Sequence, residues 1–481
     1  MTPSSARQGS QAGAIRRLLG AGSLYTIATV APILTLLAVT PLVTRLLGTD
    51  AYSQVAVAIT VYQFTSVLFA FGLPTAITRN AIIEKGGHPS ASGLVMAGTA
   101  IAILGLSVAL LSVPLWAGTL FPGVSHTVLA AALVAGAGLA VVTLSQALLR
   151  AAERVMVFVV LGASASFLPP LLGVILLNRL AATPEVYTEA LAVGYALVAA
   201  ASVVVTIVHA RPTLTAAELR LGVGIGLPTV PHMISVPLLT SIAVSIVIQA
   251  DGLAAAGRLQ IAAMLGTAGI TVMNAVNNAW SPMILKASAS ERTRTLASTT
   301  SVVSLLALAM IAAYTFVGPY LVRFIGGPLA DDGAVGRASM VIWLATVFHV
   351  LYLANIHLTF LSGRTLALAL TTPLSAVVSL GALAWIVHAV GGAGVQWHAL
   401  VWPVFYALQA VASYVLARRG PFQPARIRSA LPALALGAVL CIQAATVAPQ
   451  PLVSLVVAPI CLVAVIARFV LLRSKARAGA G

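Results

Sequence analysis

Charge is what this sequence has least of: 7% of its 481 residues are Asp, Glu, Lys or Arg, where a soluble protein carries about 25%. With 60% of residues hydrophobic, the solvated surface of a soluble fold cannot be assembled, and most of the surface must face lipid. Acidic residues are scarcer still, ten in all. They form no paired carboxylates, and no nucleophile triad or metal-type cluster appears, so neither a catalytic residue nor a metal or cofactor site is expected. Cysteine is nearly absent: Cys441 and Cys461 lie inside apolar segments without metal-type spacing, and both read as small core residues with no disulfide. Strict polar–apolar alternation is also missing. Apolar runs of about 20 residues without it exclude a membrane barrel and select helices, whose backbone groups are satisfied internally.

What is present is a series of such runs, expected near 20–44, 52–78, 91–115, 127–149, 155–177, 188–209, 222–249, 254–284, 297–317, 338–361, 366–389, 396–417, 430–447 and 451–472. With the N-terminus inside, 21 Lys and Arg residues fall on the cytoplasmic side and 5 (Arg45, Arg179, Arg258, Arg323 and Arg337) fall outside. Cytoplasmic loops carry such an excess. The split therefore predicts a multi-pass protein of the cytoplasmic membrane with both termini inside. The same asymmetry accounts for the net charge of +16 without nucleic acid as a partner. Arg7, Arg16 and Arg17 before an apolar run have the flanks of a signal peptide, yet the run extends from Gly20 to Val43 without a convincing cleavage site. It reads as an uncleaved first span. Every connection is short, so function must reside among the helices.

The cationic inner loops recur with an offset of about 205 residues: Arg16/Arg17 match Arg220, Arg79/Lys85 match Lys286/Arg292, Arg150/Arg154 match Arg364, and Arg211 matches Arg418/Arg419. Pro32 matches Pro237, and the short outer loops of Asp50 and Asp251 correspond. An offset of six spans implies two parallel repeats; coincidence of loop lengths is the alternative. The expected organisation is all-α and polytopic, with about fourteen transmembrane helices in two six-helix pseudo-repeats plus two C-terminal helices. A cytoplasmic tail (1–19) precedes the N-terminal bundle (20–210) and the C-terminal bundle (211–418); two additional helices (419–472) and a tail (473–481) follow.

The eighth span carries Gln260, Thr267, Thr271, Asn274 and Asn278 at spacings that place them in one stripe, with Asn277 beside it. Amides and hydroxyls face lipid at a cost, so this stripe is expected to face a wet cavity or, alternatively, to make ordinary interhelical hydrogen bonds. On the second span Tyr52, Gln63, Ser66 and Pro74 are expected to share a face; polar faces on two related helices point to a central cavity between the halves. Span 7 holds Pro228, Pro231 and Pro237 around His232 and Ser235, where a bend is expected that serves as hinge, gate or static kink. His232 alone is more commonly a structural donor than a proton carrier. His349 and His357 lie too far apart around their helix to form an obvious pair. Arg45 and Arg79, at the ends of spans 1 and 2, have the charge to attract a phosphate, with interfacial snorkelling the alternative.

Two stretches then suggest a relationship. Thr44-Arg45-Leu46-Leu47-Gly48-Thr49-Asp50-Ala51-Tyr52 and Phe71-Gly72-Leu73-Pro74-Thr75-Ala76-Ile77-Thr78-Arg79 resemble the opening of the polysaccharide and O-antigen flippases of the multidrug/oligosaccharidyl-lipid/polysaccharide (MOP) exporter superfamily. The loop Leu148-Leu149-Arg150-Ala151-Ala152-Glu153-Arg154 agrees moderately, and Ser53 stands where the family usually has Gly. The resemblance implies two six-helix bundles rocking about a central cavity. The cargo would be a lipid-diphosphate-linked sugar entering from the inner leaflet, with polysaccharide polymerase or glycosyltransferases as partners beside membrane lipid. Spans 13 and 14 resemble the added pair of fourteen-span members, including lipid II flippases. Two other readings stand beside it: a cation-coupled multidrug antiporter of the same superfamily, expected to bury a carboxylate as its ion site, and a polytopic glycosyltransferase, polymerase or ligase, expected to hold a poised acid or base in a sizeable outer loop.

Overall fold

The computed structural model describes residues 3–84, 86–330, 333–362, 365–390, 394–420, 428–446, 456–457, 459–464, 466–467 and 470. Its helices are α1 (Pro3–Ala70), α2 (Leu73–Ile82), α3 (Gly87–Leu120), α4 (His126–Ala151), α5 (Val155–Arg179), α6 (Pro184–His209), α7 (Ala216–Gly226), α8 (Val230–Asp251), α9 (Leu253–Gly266), α10 (Ala268–Lys286), α11 (Ala289–Gly326), α12 (Ala334–Leu361), α13 (Thr365–Val390), α14 (Val395–His398), α15 (Val401–Arg418) and α16 (Leu431–Thr446). No strand occurs among the described residues. Among the described residues, eleven helical stretches are long and apolar enough to cross a membrane, and the shorter Leu431–Thr446 follows them. The chain is thus a multi-pass, all-α membrane protein. The count agrees with the expected spans: Leu37–Ala70 runs through the first two, Leu431–Thr446 is the thirteenth, and half of the fourteenth lies outside the described residues.

Three expected spans are not single rods. The second breaks at Phe71 and Gly72, which adopt φ of 53° and 69°, before α2 begins. The seventh is interrupted by a 3₁₀ turn at Leu227–Thr229, next to Pro228 and Pro231, because proline supplies no ladder donor. The eighth is divided at Thr267 into α9 and α10. A further break within α1 falls at Gly48 (φ 71°, ψ −173°). Gly252, which opens α9, has φ 84° and ψ 175°. These two glycines hold the same positive-φ extended conformation, accessible essentially to Gly alone; Gly48 lies two residues before Asp50 and Gly252 directly after Asp251.

The chain clusters into two compact units. The first comprises Met1–Leu47, Ala58–Thr119 and Val124–Ile234; the second comprises Gly48–Val57, Leu120–Gly123 and Ser235–Gly481. In the first unit α4 packs against α6, α5 and α2. Small residues let the backbones approach, as is usual where lipid removes the hydrophobic drive for helix association: Gly138 faces the Tyr195 backbone and Gly194 faces Pro169. Thr206 Oγ1 donates to Ser145 Oγ at 3.1 Å. The 210–215 connection is fastened to α3 by Thr213 N donating to Pro89 O at 3.1 Å and Ser92 Oγ donating to Ala210 O at 2.9 Å. It then enters α7 through a capping box of Thr215 and Glu218. Within this unit two helix breaks meet: Gly72 lies against the Gly226 backbone, where no Cβ fits.

In the second unit α12 is the central helix, packed by α15, α9, α16 and α11. Tyr314 stacks on Trp343 at 4.8 Å and donates to Ser339 Oγ at 2.9 Å. Ser53 is buried and donates to Thr49 O at 2.7 Å; Gly257 makes room for it from α9. Asp251 pairs with buried His398 at 3.3 Å, tying the α8–α9 turn to α14.

Candidate functional site

The stripe anticipated on the eighth span is graded. Gln260 on α9 is buried, Thr267, Thr271 and Asn277 are half-buried, and Asn274 and Asn278 on α10 are exposed. The two threonines turn their hydroxyls onto their own helix, Thr267 Oγ1 donating to Ala263 O at 2.7 Å and Thr271 Oγ1 to Thr267 O at 3.1 Å. Such back-bonding bends helices, and it coincides with the break at Thr267. On the opposite side of α10, Met273, Trp280 and Ile284 are buried, with Trp280 Nε1 donating to Thr299 Oγ1 of α11 at 2.8 Å. Thus α10 buries an apolar face and leaves amides on its outer one.

Asn274 is held from behind. His349 Nε2, on α12, donates to its Oδ1 at 2.9 Å. The His349 ring is buried against Tyr352 at 5.7 Å and Tyr406 of α15 at 4.9 Å, edge-on to the latter. His357 occupies a separate place, edge-on to Trp280 at 5.4 Å, so the two histidines do not pair. Asn277 Oδ1 is buried without a hydrogen-bond partner among the described residues. The sequence analysis marked the amides but not Tyr406, although Gln409 and Ser413 continue its buried face of α15.

The second-span residues lie in the first unit. Gln63 is exposed, and Ser66 is buried and donates to the Gln63 carbonyl at 2.8 Å. Neighbouring Tyr62 hydrogen-bonds with Tyr195 and Gln63, the two phenol rings lying 5.5 Å apart. Tyr195 on α6 is another participant that spacing alone did not disclose. Pro74 does not continue the Gln63 face, because the chain breaks at Phe71–Gly72 and Pro74 starts a different helix. His232 is half-buried on α8, just past the 3₁₀ turn. Arg45 is exposed three residues before the Gly48 break. Arg79 is exposed near the end of α2, its Nε 3.2 Å from Glu84 Oε1. The whole second leg of α1 separates the two arginines along the chain. Among the described residues no group of His, Cys, Asp and Glu is arranged to hold a metal.

This architecture is that of solved membrane transporters. An inward-facing multidrug resistance MATE family transporter of the MOP superfamily is similar with a TM-score of 0.60 at 14% identity, over 80% of this chain and 93% of its own. Lipid II flippase MurJ, in an inward closed conformation, gives 0.62 at 13% identity over 94% of this chain and 99% of its own. The eukaryotic MATE transporter AtDTX14 gives 0.52 at 16% identity, over 87% and 100%. No family model matches the chain, and no curated protein matches its sequence. At these identities the likeness establishes the fold.

Proposed function

We propose that the chain is a transporter that carries a lipid-linked oligosaccharide across the cytoplasmic membrane by alternating access, with both termini cytoplasmic and glycosyltransferases or a polymerase as its functional partners. The observation that carries this reading is the exposed amide face of α10, with Asn274 braced by His349. A sugar-diphosphate head group needs hydrogen-bonding side chains inside the membrane, while its prenyl tail stays in lipid. Uncharged amides offer such bonds without the larger cost of burying a charge. In the first unit, Gln63, Ser66 and His232 are the side chains assigned to the substrate. Arg45 and Arg79 are assigned to the diphosphate, which at Arg79 competes with Glu84.

Multidrug antiport is the second reading, favoured by the MATE likenesses. Two observations weigh against it. The described acidic residues lie in turns, at helix ends or beside the Gly48 break, leaving no mid-span carboxylate for an ion. The flippase also covers 94% of this chain, against 80% and 87% for the two transporters.

The test uses purified protein in vesicles loaded with a fluorescent prenyl-diphosphate oligosaccharide in both leaflets. Progressive exchange of the sugar between leaflets, absent from empty vesicles, is expected. Uptake of cationic dyes without sugar exchange would favour the antiporter, and chain extension of the sugar would favour an enzyme.

A further inference from the structure

We propose that one end of the second unit, made by the start of α11, the end of α15 and the start of α16, is a docking surface for anionic phospholipid head groups of the cytoplasmic leaflet. The first observation is compositional. From residue 333 onwards the sequence has no Asp or Glu but ten Lys and Arg residues, all except Arg337 in segments expected inside. An inside excess of Lys and Arg is enough to orient spans, and Asp and Glu contribute little to that signal. Orientation therefore does not account for the loss of every carboxylate. The inner connections of the first unit are mixed instead: Arg79 has Glu84 at 3.2 Å, and Glu153 and Glu218 stand close to Arg154 and Arg220 in sequence.

The fold brings exposed arginines to this end from three helices. Arg418 and Arg419 close α15, Arg428 precedes α16, and Arg294 lies in the second turn of α11. Ser301 Oγ of α11 donates to Ser429 O at 3.4 Å, so the start of α16 rests on α11. Arg294 stands two turns before Ser301 on the same helix face. At the end of α15, Gly420 faces Ser362, directly after α12. None of the four arginines makes an ion pair among the described residues. The acid nearest to them in sequence, Glu291, accepts a hydrogen bond from Ser288 Oγ at 2.8 Å.

The surface next to these charges is apolar. Val411, Tyr414 and Val415 are exposed and, with Arg418, fall at i, i+3, i+4 and i+7. They form one outward stripe of α15 that ends in a guanidinium. Beyond Arg428, α16 exposes Leu431, Leu436, Val439 and Ile442. Cations at the end of exposed hydrocarbon match an amphiphile with an anionic head, its acyl chains along the stripe and its phosphate oxygens at the arginines. Guanidinium groups meet phosphate through paired N–H bonds, and clustered Lys and Arg directly beyond a membrane helix attract acidic lipids. A soluble polyanion fits the charges but leaves the apolar stripes unused. The inference does not depend on the identity of the cargo.

The test titrates the purified full chain in detergent with phosphatidylglycerol and, separately, with phosphatidylcholine of the same acyl chains, counting bound lipid by native mass spectrometry. Phosphatidylglycerol is expected to bind more tightly, and the preference to shrink as salt rises. Arg418→Gln with Arg419→Gln, and Arg294→Gln with Arg428→Gln, should each weaken phosphatidylglycerol binding, by about fivefold for each arginine. Lysine at the same four positions keeps the charge and should retain most of the preference. Arg150→Gln with Arg154→Gln, in the first unit, should leave it unchanged. Equal affinity for the two lipids in the wild type, or a preference that survives both glutamine pairs, overturns the proposal. An equal loss in the Arg150→Gln/Arg154→Gln protein overturns the placement on the second unit. Displacement of phosphatidylglycerol by inorganic pyrophosphate or a short oligonucleotide at comparable concentration overturns the choice of lipid as occupant.

Discussion

Asn274 and Gln63 are single side chains on which transport is expected to depend, because each offers an amide where lipid would prefer a hydrocarbon. Asn274→Leu removes the His349 partner and an outward hydrogen bond together. Lipid-linked sugar exchange should slow about tenfold, matching the ~1.5 kcal/mol of a hydrogen bond to a charged group. Gln63→Leu should act similarly from the first unit. Both proteins should purify in monodisperse form, since Asn274 and Gln63 are exposed; normal exchange rates in both would remove the proposed passage. Gly72 makes the opposite demand. Its φ of 69° and its contact with the Gly226 backbone leave no space for a side chain, so Gly72→Ala should lower the thermal midpoint in detergent by several degrees through strain and overpacking.

At the scale of helices, the first unit is joined by small residues and caps. Gly138 faces the Tyr195 backbone, and a leucine there would have to drive α4 and α6 apart. Gly138→Leu is expected to cost at least about 3 kcal/mol and to appear as loss of monodisperse protein. Thr183 caps α6, its Oγ1 accepting from Val186 N at 3.3 Å. Thr183→Ala should cost about 1 kcal/mol and speed amide exchange in the first turn of α6. Helices of this kind were legible in the sequence because length and apolarity are all that a bilayer requires of a span. The bend of the seventh span was legible through its prolines. The breaks at Phe71–Gly72 and Thr267 were not anticipated: Pro74 stands in the first turn after the former, where Phe71 adopts a backbone conformation rare for its type, and Thr267 bends its helix by a hydroxyl bond that spacing does not reveal. The Asn274 half of the candidate site was visible as a periodic stripe. Its His349–Tyr406 half required the packing of α12 on α15, which no single-helix pattern encodes.

For the molecule as a whole, the distribution of charge organises function. Acidic groups are confined to turns, helix ends and the Gly48 break among the described residues, so hydrogen bonding inside the membrane falls to amides, hydroxyls and histidines. The matching turn glycines Gly48 and Gly252 bear the same backbone signature in both halves of the sequence, as duplication of one helical unit would leave. Everything functional then depends on whether the amide face of α10 meets water. The decisive measurement is thiol labelling of Asn278→Cys, in a background lacking Cys441 and Cys461, with a charged, membrane-impermeant reagent, alongside the exposed α13 position Val377→Cys. Labelling at 278 with protection at 377 is the expected result. Protection of 278 from the charged reagent, with ready modification by a lipid-soluble one, would place the amides against lipid and contradict the account.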